Sequence, residues 1–293
     1  MVEMSAETSI AAGSSVLTLA GRQVHLDLRP GSGPTVLLLG GCGVPSYVWD
    51  AVAERLPDRS VVRMDRPGLL NTLWPGTLPQ LHEEVATLAA LAQLIDGPLV
   101  VVAHSMAGFH AEALVRQHPG AVAALLLLDG SVEWRPEPPR RMRSWLQTAR
   151  VTRRAMTFAP LSRVGPLVER VVVSAQSRRR TIFDPVAPLA RDTYRRPDAV
   201  ASVIAEQAAY ATQAVDLAKL REILPWPGTP TVVLTAAGDG GGSGVADQRR
   251  LAELLGARQH VIEDSRHLVM IDRPDMVAEQ IRASVDAKDD DHD

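Results

Sequence analysis

The decapeptide Leu99–Gly108 constrains this chain more than any other stretch. Leu99-Val100-Val101-Val102, bounded by Gly97-Pro98, is too short for a helix and has the unbroken apolar character of a strand buried on both faces. At Ala103-His104-Ser105-Met106-Ala107-Gly108 the pattern turns helical, with Phe109, Ala113 and Leu114 on one face and His118-Pro119 at the end. A serine on so sharp a strand-to-helix turn is held out of the sheet with its hydroxyl exposed. The N–H of the next residue points at whatever that hydroxyl attacks. Side chains two positions before and after would collide across the turn, and here both positions are alanine, Ala103 and Ala107. A serine capping a helix N-terminus would give a similar string without any chemistry.

A chain of 293 residues with 46% hydrophobic residues can bury a sizeable core, as one large α/β domain with an insertion or as two ordinary domains. A net charge of −3 argues against general binding to nucleic acid or to an anionic membrane. Cys42 is the only cysteine, so no internal disulfide forms, which fits a reducing compartment. Met1–Ser15 carries neither a basic segment nor an apolar one of the secretory type, and no apolar run of about 18 residues follows. The expectation is a soluble, cytoplasmic protein, with the oligomeric state left open. Lys219 and Lys288 are the only lysines among 31 basic side chains, a bias that reflects genome composition more than chemistry.

Residues 1–13 are polar and unpatterned and are expected to be disordered. Val16–Leu19 and Arg22–Leu28 read as an antiparallel edge hairpin around Ala20-Gly21, and Gly31-Ser32-Gly33-Pro34 as a loop. Strand and helix then alternate: strand Thr35–Leu39, helix Tyr47–Leu56, strand Ser60–Met64, helix Leu78–Ile95, the Leu99 strand and its helix, and strand Leu125–Leu128. From Ser131 to Pro230 buried strands stop, and Arg-rich amphipathic segments alternate with prolines. The rhythm resumes with strand Thr231–Thr235, helix Ala246–Leu255, strand His260–Ile262 and a helix from Pro274. The pattern predicts a mostly parallel sheet with helices on both faces, formed by 14–130 and 231–287, a helical insertion over 131–230, and a solvated acidic tail at 288–293.

A serine is a poor nucleophile until a base takes its proton, and the base needs an acid to orient it. The turn around Ser105 resembles the nucleophile elbow of the α/β-hydrolase family, in the relaxed form with alanine at both small positions. That family's order is serine, acid, histidine, with the last two after late strands. Asp239, in Ala236-Ala237-Gly238-Asp239, and His267, in Asp264-Ser265-Arg266-His267, occupy those places. Asp129, at the end of the Leu125–Leu128 strand, is the rival acid, since some members supply the carboxylate from there. The resemblance implies an oxyanion hole from the N–H of Met106 and, in the loop after Leu39, that of Cys42. Where the family has His-Gly-x this chain reads Gly40-Gly41-Cys42-Gly43, lacking the histidine that braces the loop. Cys42 itself reads as packing, not as a nucleophile.

The same loop also imitates a dinucleotide-binding unit, Gly41-Cys42-Gly43 with an acidic residue, Asp65, after the next strand. Ser46 in place of the third glycine and the stiff Pro45 count against it, and Asp65-Arg66-Pro67-Gly68 resembles the corresponding hydrolase turn. The eight histidines show no metal-ligand spacing, and His104 reads as structural. No cofactor or metal is expected.

In the family an insertion at this place is a cap whose inner face shapes the substrate cavity. Seven of the eleven aromatics lie there: Trp134, Trp145, Phe158, Phe183, Tyr194, Tyr210 and Trp226. Arg140, Arg141, Arg143, Arg153, Arg154, Arg178, Arg179 and Arg180 make it basic, through solvated helix faces or to attract an acidic substrate. The expectation is a capped serine hydrolase acting through an acyl-enzyme on a carboxylic ester or related acyl compound with an apolar portion. Carbon–carbon bond hydrolysis or cofactor-free perhydrolysis on the same fold stay open, as does a non-catalytic ligand-binding protein.

Overall fold

The computed structural model describes residues 12–70, 72–137, 141–178, 187–238 and 242–289. Eight strands form one sheet in the order β1-β2-β4-β3-β5-β6-β7-β8. These are β1 (Gly13–Leu19), β2 (Arg22–Arg29), β3 (Ser32–Leu39), β4 (Arg59–Asp65), β5 (Leu99–His104), β6 (Val122–Leu128), β7 (Thr231–Ala236) and β8 (Arg258–Ile262). The β1–β2 hairpin pairs antiparallel with the β4 edge, and every pairing from β4 to β8 is parallel.

The continuous apolar strands are buried on two faces, as their composition requires. Leu37, Leu39, Val101, Ala103, Leu125 and Leu127 face α2 (Leu81–Ala92), α3 (Ala107–Gln117) and α9 (Gly242–Leu254). Val36, Leu38, Val100, Val102, Leu126 and Leu128 face α1 (Asp50–Ala53), α10 (Val269–Asp272) and α11 (Pro274–Asp289). Period-two alternation thus sorts one string of valines and leucines into two cores.

Between β6 and β7 lie α4 (Met142–Ala155), α5 (Ala159–Ser162), α6 (Val164–Gln176), α7 (Ala187–Tyr194) and the 27-residue α8 (Pro197–Ile223), forming the expected helical insertion. Pro197 stands in the first turn of α8, where its missing N–H costs nothing.

Three expectations need correction. The supposed loop at Gly31–Pro34 enters β3 at Ser32, whose N–H bonds the Asp58 carbonyl, with a register shift before Val36. The helix expected over Tyr47–Leu56 is a 3-10 turn, Ser46–Trp49, followed by the single turn of α1. Gly13, counted with the disordered leader, pairs with Leu28 in β1, while 1–11 lie outside the described residues. At the other end α11 runs into the acidic tail as far as Asp289, and 290–293 lie outside.

Candidate active site

Ser105 adopts a left-handed backbone at φ +53°, unusual for a residue with a side chain. The turn is fixed on both sides: the Ser105 N–H bonds the Leu128 carbonyl at 3.1 Å, and its carbonyl accepts from Gly108 and Ser131 N–H. Ala103 and Ala107 are fully buried. Because His104 and Leu128 are paired across β5 and β6, the residues that follow, Ser105 and Asp129, leave adjacent strand ends together. Asp129 is also left-handed, at φ +42°; its N–H bonds the Leu234 carbonyl, and its Oδ1 accepts from Ala236 N–H at 3.2 Å.

His267 stands between them. Its Nδ1 meets Asp129 Oδ2 at 2.6 Å and its Nε2 meets Ser105 Oγ at 3.0 Å. A carboxylate only accepts, so Nδ1 carries the proton and Nε2 presents its lone pair to the serine hydroxyl. The carboxylate on His267 is Asp129's, the rival acid of the sequence reading. Asp239 itself lies outside the described residues. Register brings Asp129 to His267: β6 lies beside β5, and the residues after His104 and Leu128 leave the sheet side by side.

His104 is wholly buried and donates Nε2–H to the His267 carbonyl at 3.0 Å. Burial, reinforced by His267, pushes its pKa well below the ordinary value, so it is a neutral brace for the histidine loop. Met106, next to the serine, is buried at the start of α3. The Gly40–Gly43 loop passes close to Ser105, and a β-carbon on Gly41 would stand 2.7 Å from Ser105 Cβ. Cys42 follows, its thiol held protonated by burial and by the nearby Glu206, which removes it as a thiolate nucleophile.

Three side chains that sequence reasoning left without a role meet at this loop. Arg66, noted only as part of a turn motif, donates to the Gly40 and Gly41 carbonyls. Glu206 of α8 binds Arg66 and the Gly43 N–H, and the Tyr194 hydroxyl donates to the Gly43 carbonyl. Glu206 sits in an Ala-rich helical run that carries no signal of its own. Asp65, weighed as a ribose ligand, is fully buried with its oxygens engaged by His25 and the Ser46 N–H, which leaves the dinucleotide reading without its acid. No group of three potential metal ligands occurs among the described residues.

A cavity of about 560 Å³ opens onto Ser105 and His267. Its walls are mainly apolar: Val44 and Val48 from the core, Val164, Val168, Val172 and Val173 from α6, Val200, Val203 and Ile204 from α8, with Glu169, Gln176 and Gln207 as polar points. Of the aromatics in the insertion, Tyr194 lines it. Trp134 bonds Asp247 and packs under Arg250, Trp226 lies against Arg116, and Tyr210 against Phe109, so these hold structure together. Phe183, Arg140, Arg179 and Arg180 lie outside the described residues. Arg153 pairs with Asp198 and Arg178 bonds the Gly238 carbonyl, so part of the basic character is spent on internal contacts. Among the described residues no helix is long and apolar enough to cross a membrane.

Known proteins share part of this sequence or its fold. A lipase, LipV, of Mycobacterium tuberculosis is 35% identical over 116 residues, 37% of this chain and 42% of that protein. A pimeloyl-[acyl-carrier protein] methyl ester esterase of Methylococcus capsulatus is 34% identical over 111 residues, 37% of this chain and 41% of that protein. The chain thus spans less than half the length of these curated relatives. Among solved structures, a thermophilic esterase of Thermogutta terrifontis superposes with a TM-score of 0.71 at 22% identity, over 93% of this chain and 97% of that one. An enol-lactonase of Burkholderia xenovorans gives 0.68 at 20% identity, over 92% and 99%. The sequence profile described as the alpha/beta hydrolase family matches residues 36–280, and the chain belongs to that family.

Proposed function

We propose that this protein is a serine hydrolase that cleaves carboxylic esters with a bulky apolar portion through an acyl-enzyme. The observation that carries the reading is the continuous line Ser105 Oγ, His267 Nε2, His267 Nδ1, Asp129 Oδ2, with steps of 3.0 and 2.6 Å. In the first half-reaction Oγ bonds to the ester carbonyl carbon while its proton passes to His267 Nε2. The tetrahedral oxyanion is held by the Met106 and Cys42 N–H groups. Collapse breaks the bond to the leaving alkoxide, which takes the proton from His267. Water then adds to the acyl carbon, giving a proton to His267, and release of the acid returns that proton to Ser105. Asp129 keeps the imidazole in the required tautomer and stabilises its charged form. The apolar cavity supports a substrate with a sizeable hydrocarbon part, and two partial relatives, a lipase and a methyl ester esterase, support ester cleavage.

A fluorophosphonate probe and a series of p-nitrophenyl esters test the assignment. Ser105→Ala is expected to abolish labelling, and Ser105→Ala and His267→Ala each to lower kcat by about 10⁴-fold or more. Asp129→Asn follows with a loss of about 10⁴-fold. Full activity of Asp129→Asn with loss in Asp239→Asn would return the acid role to Asp239; an unlabelled, folded wild type would overturn the hydrolase reading.

A further inference from the structure

The family's bracing histidine is missing at Gly40, and the structure shows why none could stand there: a β-carbon would run into the Val44 carbonyl. The loop is braced from the opposite side. Arg66 Nη1 and Nη2 donate to the Gly40 and Gly41 carbonyls at 2.6 and 2.5 Å. Glu206 takes Arg66 Nε at 2.7 Å on one oxygen, and Arg66 Nη2 at 3.1 Å and the Gly43 N–H at 2.7 Å on the other. Both side chains are 4% exposed. Burial opposes the Arg66 charge, but the Glu206 carboxylate outweighs it and holds the guanidinium charged.

A trans peptide points its carbonyl and its following N–H in opposite directions. With the Gly41 carbonyl drawn onto Arg66, the Cys42 N–H of the same peptide unit is turned away from it. The cation at the oxygen end also polarises that peptide and strengthens its N–H as a donor. Glu206 belongs to α8, whose Val203 occupies the space a β-carbon on Gly43 would need and whose Ser202 bonds the Pro67 carbonyl. Seating of this helix and the shape of the loop are therefore one arrangement.

We propose that Arg66 and Glu206 are positioning residues for acyl transfer: they set the Gly41–Cys42 peptide plane that presents the second oxyanion donor, and they make that geometry conditional on α8 being docked. This rests on the serine-hydrolase reading above. The alternative is a buried ion pair that only stabilises the fold.

The test uses Arg66→Lys, Glu206→Gln and the paired replacement Arg66→Met with Glu206→Leu, which removes both charges and leaves neither unpaired. Folding is checked by circular dichroism. Each variant is assayed for kcat and KM on a p-nitrophenyl ester and for inhibition by a trifluoromethyl ketone, whose adduct with Ser105 carries an oxyanion. Expected is a fall in kcat of about 10- to 100-fold with KM within about threefold, and a rise in the ketone's inhibition constant that tracks the loss in kcat/KM. The paired variant should show this while staying folded. Folded variants with kcat within threefold of wild type, or a kcat loss without the matching loss of ketone affinity, would overturn the proposal. Should only the paired variant fold, it decides alone; should none fold, the pair is structural and the proposal falls. A wild type that neither hydrolyses the ester nor reacts with fluorophosphonate sinks both readings, whereas a reactive wild type with unaffected variants sinks only this one.

Discussion

Two inserted helices, α6 and α8, wall the same cavity, yet they are attached to the protein in opposite ways. In α8 the alanines Ala201, Ala205 and Ala209 are buried in one cluster with Trp74 and Leu78 of the loop after β4 and with Ala149 of α4, small enough for close approach. Gly43 and Gly68, both with positive φ, leave the space that Val203 and Ser202 fill. Polar contacts then lock the contact: Glu206 to Arg66 and Gly43, Ser202 to Pro67, Gln213 to His110. In α6 only Pro166 of thirteen residues is buried; Val164, Val168 and Val172 reach the cavity while Leu167 and Val171 face solvent, Val171 at 71% exposure. Few buried contacts mean a small free energy of local opening. The difference teaches that one part of the insertion is joined to the loops around Ser105 and the other is a loosely held wall of the cavity.

The sharpest way to break this contrast is to change one side chain on each helix. Glu206→Ala leaves Arg66 charged and unpaired in the interior and is expected to lower unfolding stability by about 3–5 kcal/mol, whereas Val171→Ser should stay within about 0.5 kcal/mol. Urea unfolding of the two variants checks this; equal losses would remove the distinction. Next in size, Gly43→Ala puts a β-carbon 2.6 Å from Val203 Cγ2 at a φ of +65°. Strain and displacement of α8 together should cost about 1–3 kcal/mol, read as a lower denaturation midpoint with a parallel drop in any turnover of the p-nitrophenyl ester.

A smaller effect should appear with pH. His110, buried in α3 and donating to Gln213 of α8, has its pKa lowered chiefly by burial, against the opposing pull of Glu84. Its folded-state value lies below the ordinary 6.5. Below that pH the unfolded chain binds a proton that the folded protein does not, so stability falls on acidification, at up to about 1.4 kcal/mol per pH unit for one group. His104 shifts the same way and adds to the slope. Thermal melts between pH 7 and 5 should show His110→Gln with a shallower decline than wild type; an unchanged slope would detach this contact from the docking of α8.

Much of the fold could be read directly because its causes are local. Apolar runs of Val and Leu bounded by turn residues marked β3, β5, β6 and β7, and the switch to helical spacing after His104 marked the turn that exposes Ser105. His267 was found by its place after the last strand. Local pattern is silent elsewhere. It left two carboxylates, Asp239 and Asp129, as rival acids, and the structure puts Asp129 on His267 while Asp239 lies outside the described residues. It gave no signal at all for Glu206.

The amino-acid order by itself determined the alternating architecture, the sharp turn at Ser105 and the place of His267 after the last strand, since each depends on residues a few places apart. Only the tertiary structure decided which carboxylate faces His267 and what holds the loop above Ser105. Asp129 and His267 are 138 positions apart, and Arg66 and Glu206 are 140. Such pairs are chosen by strand order, register and the docking of one helix, which belong to the assembled sheet and to no single segment of the chain.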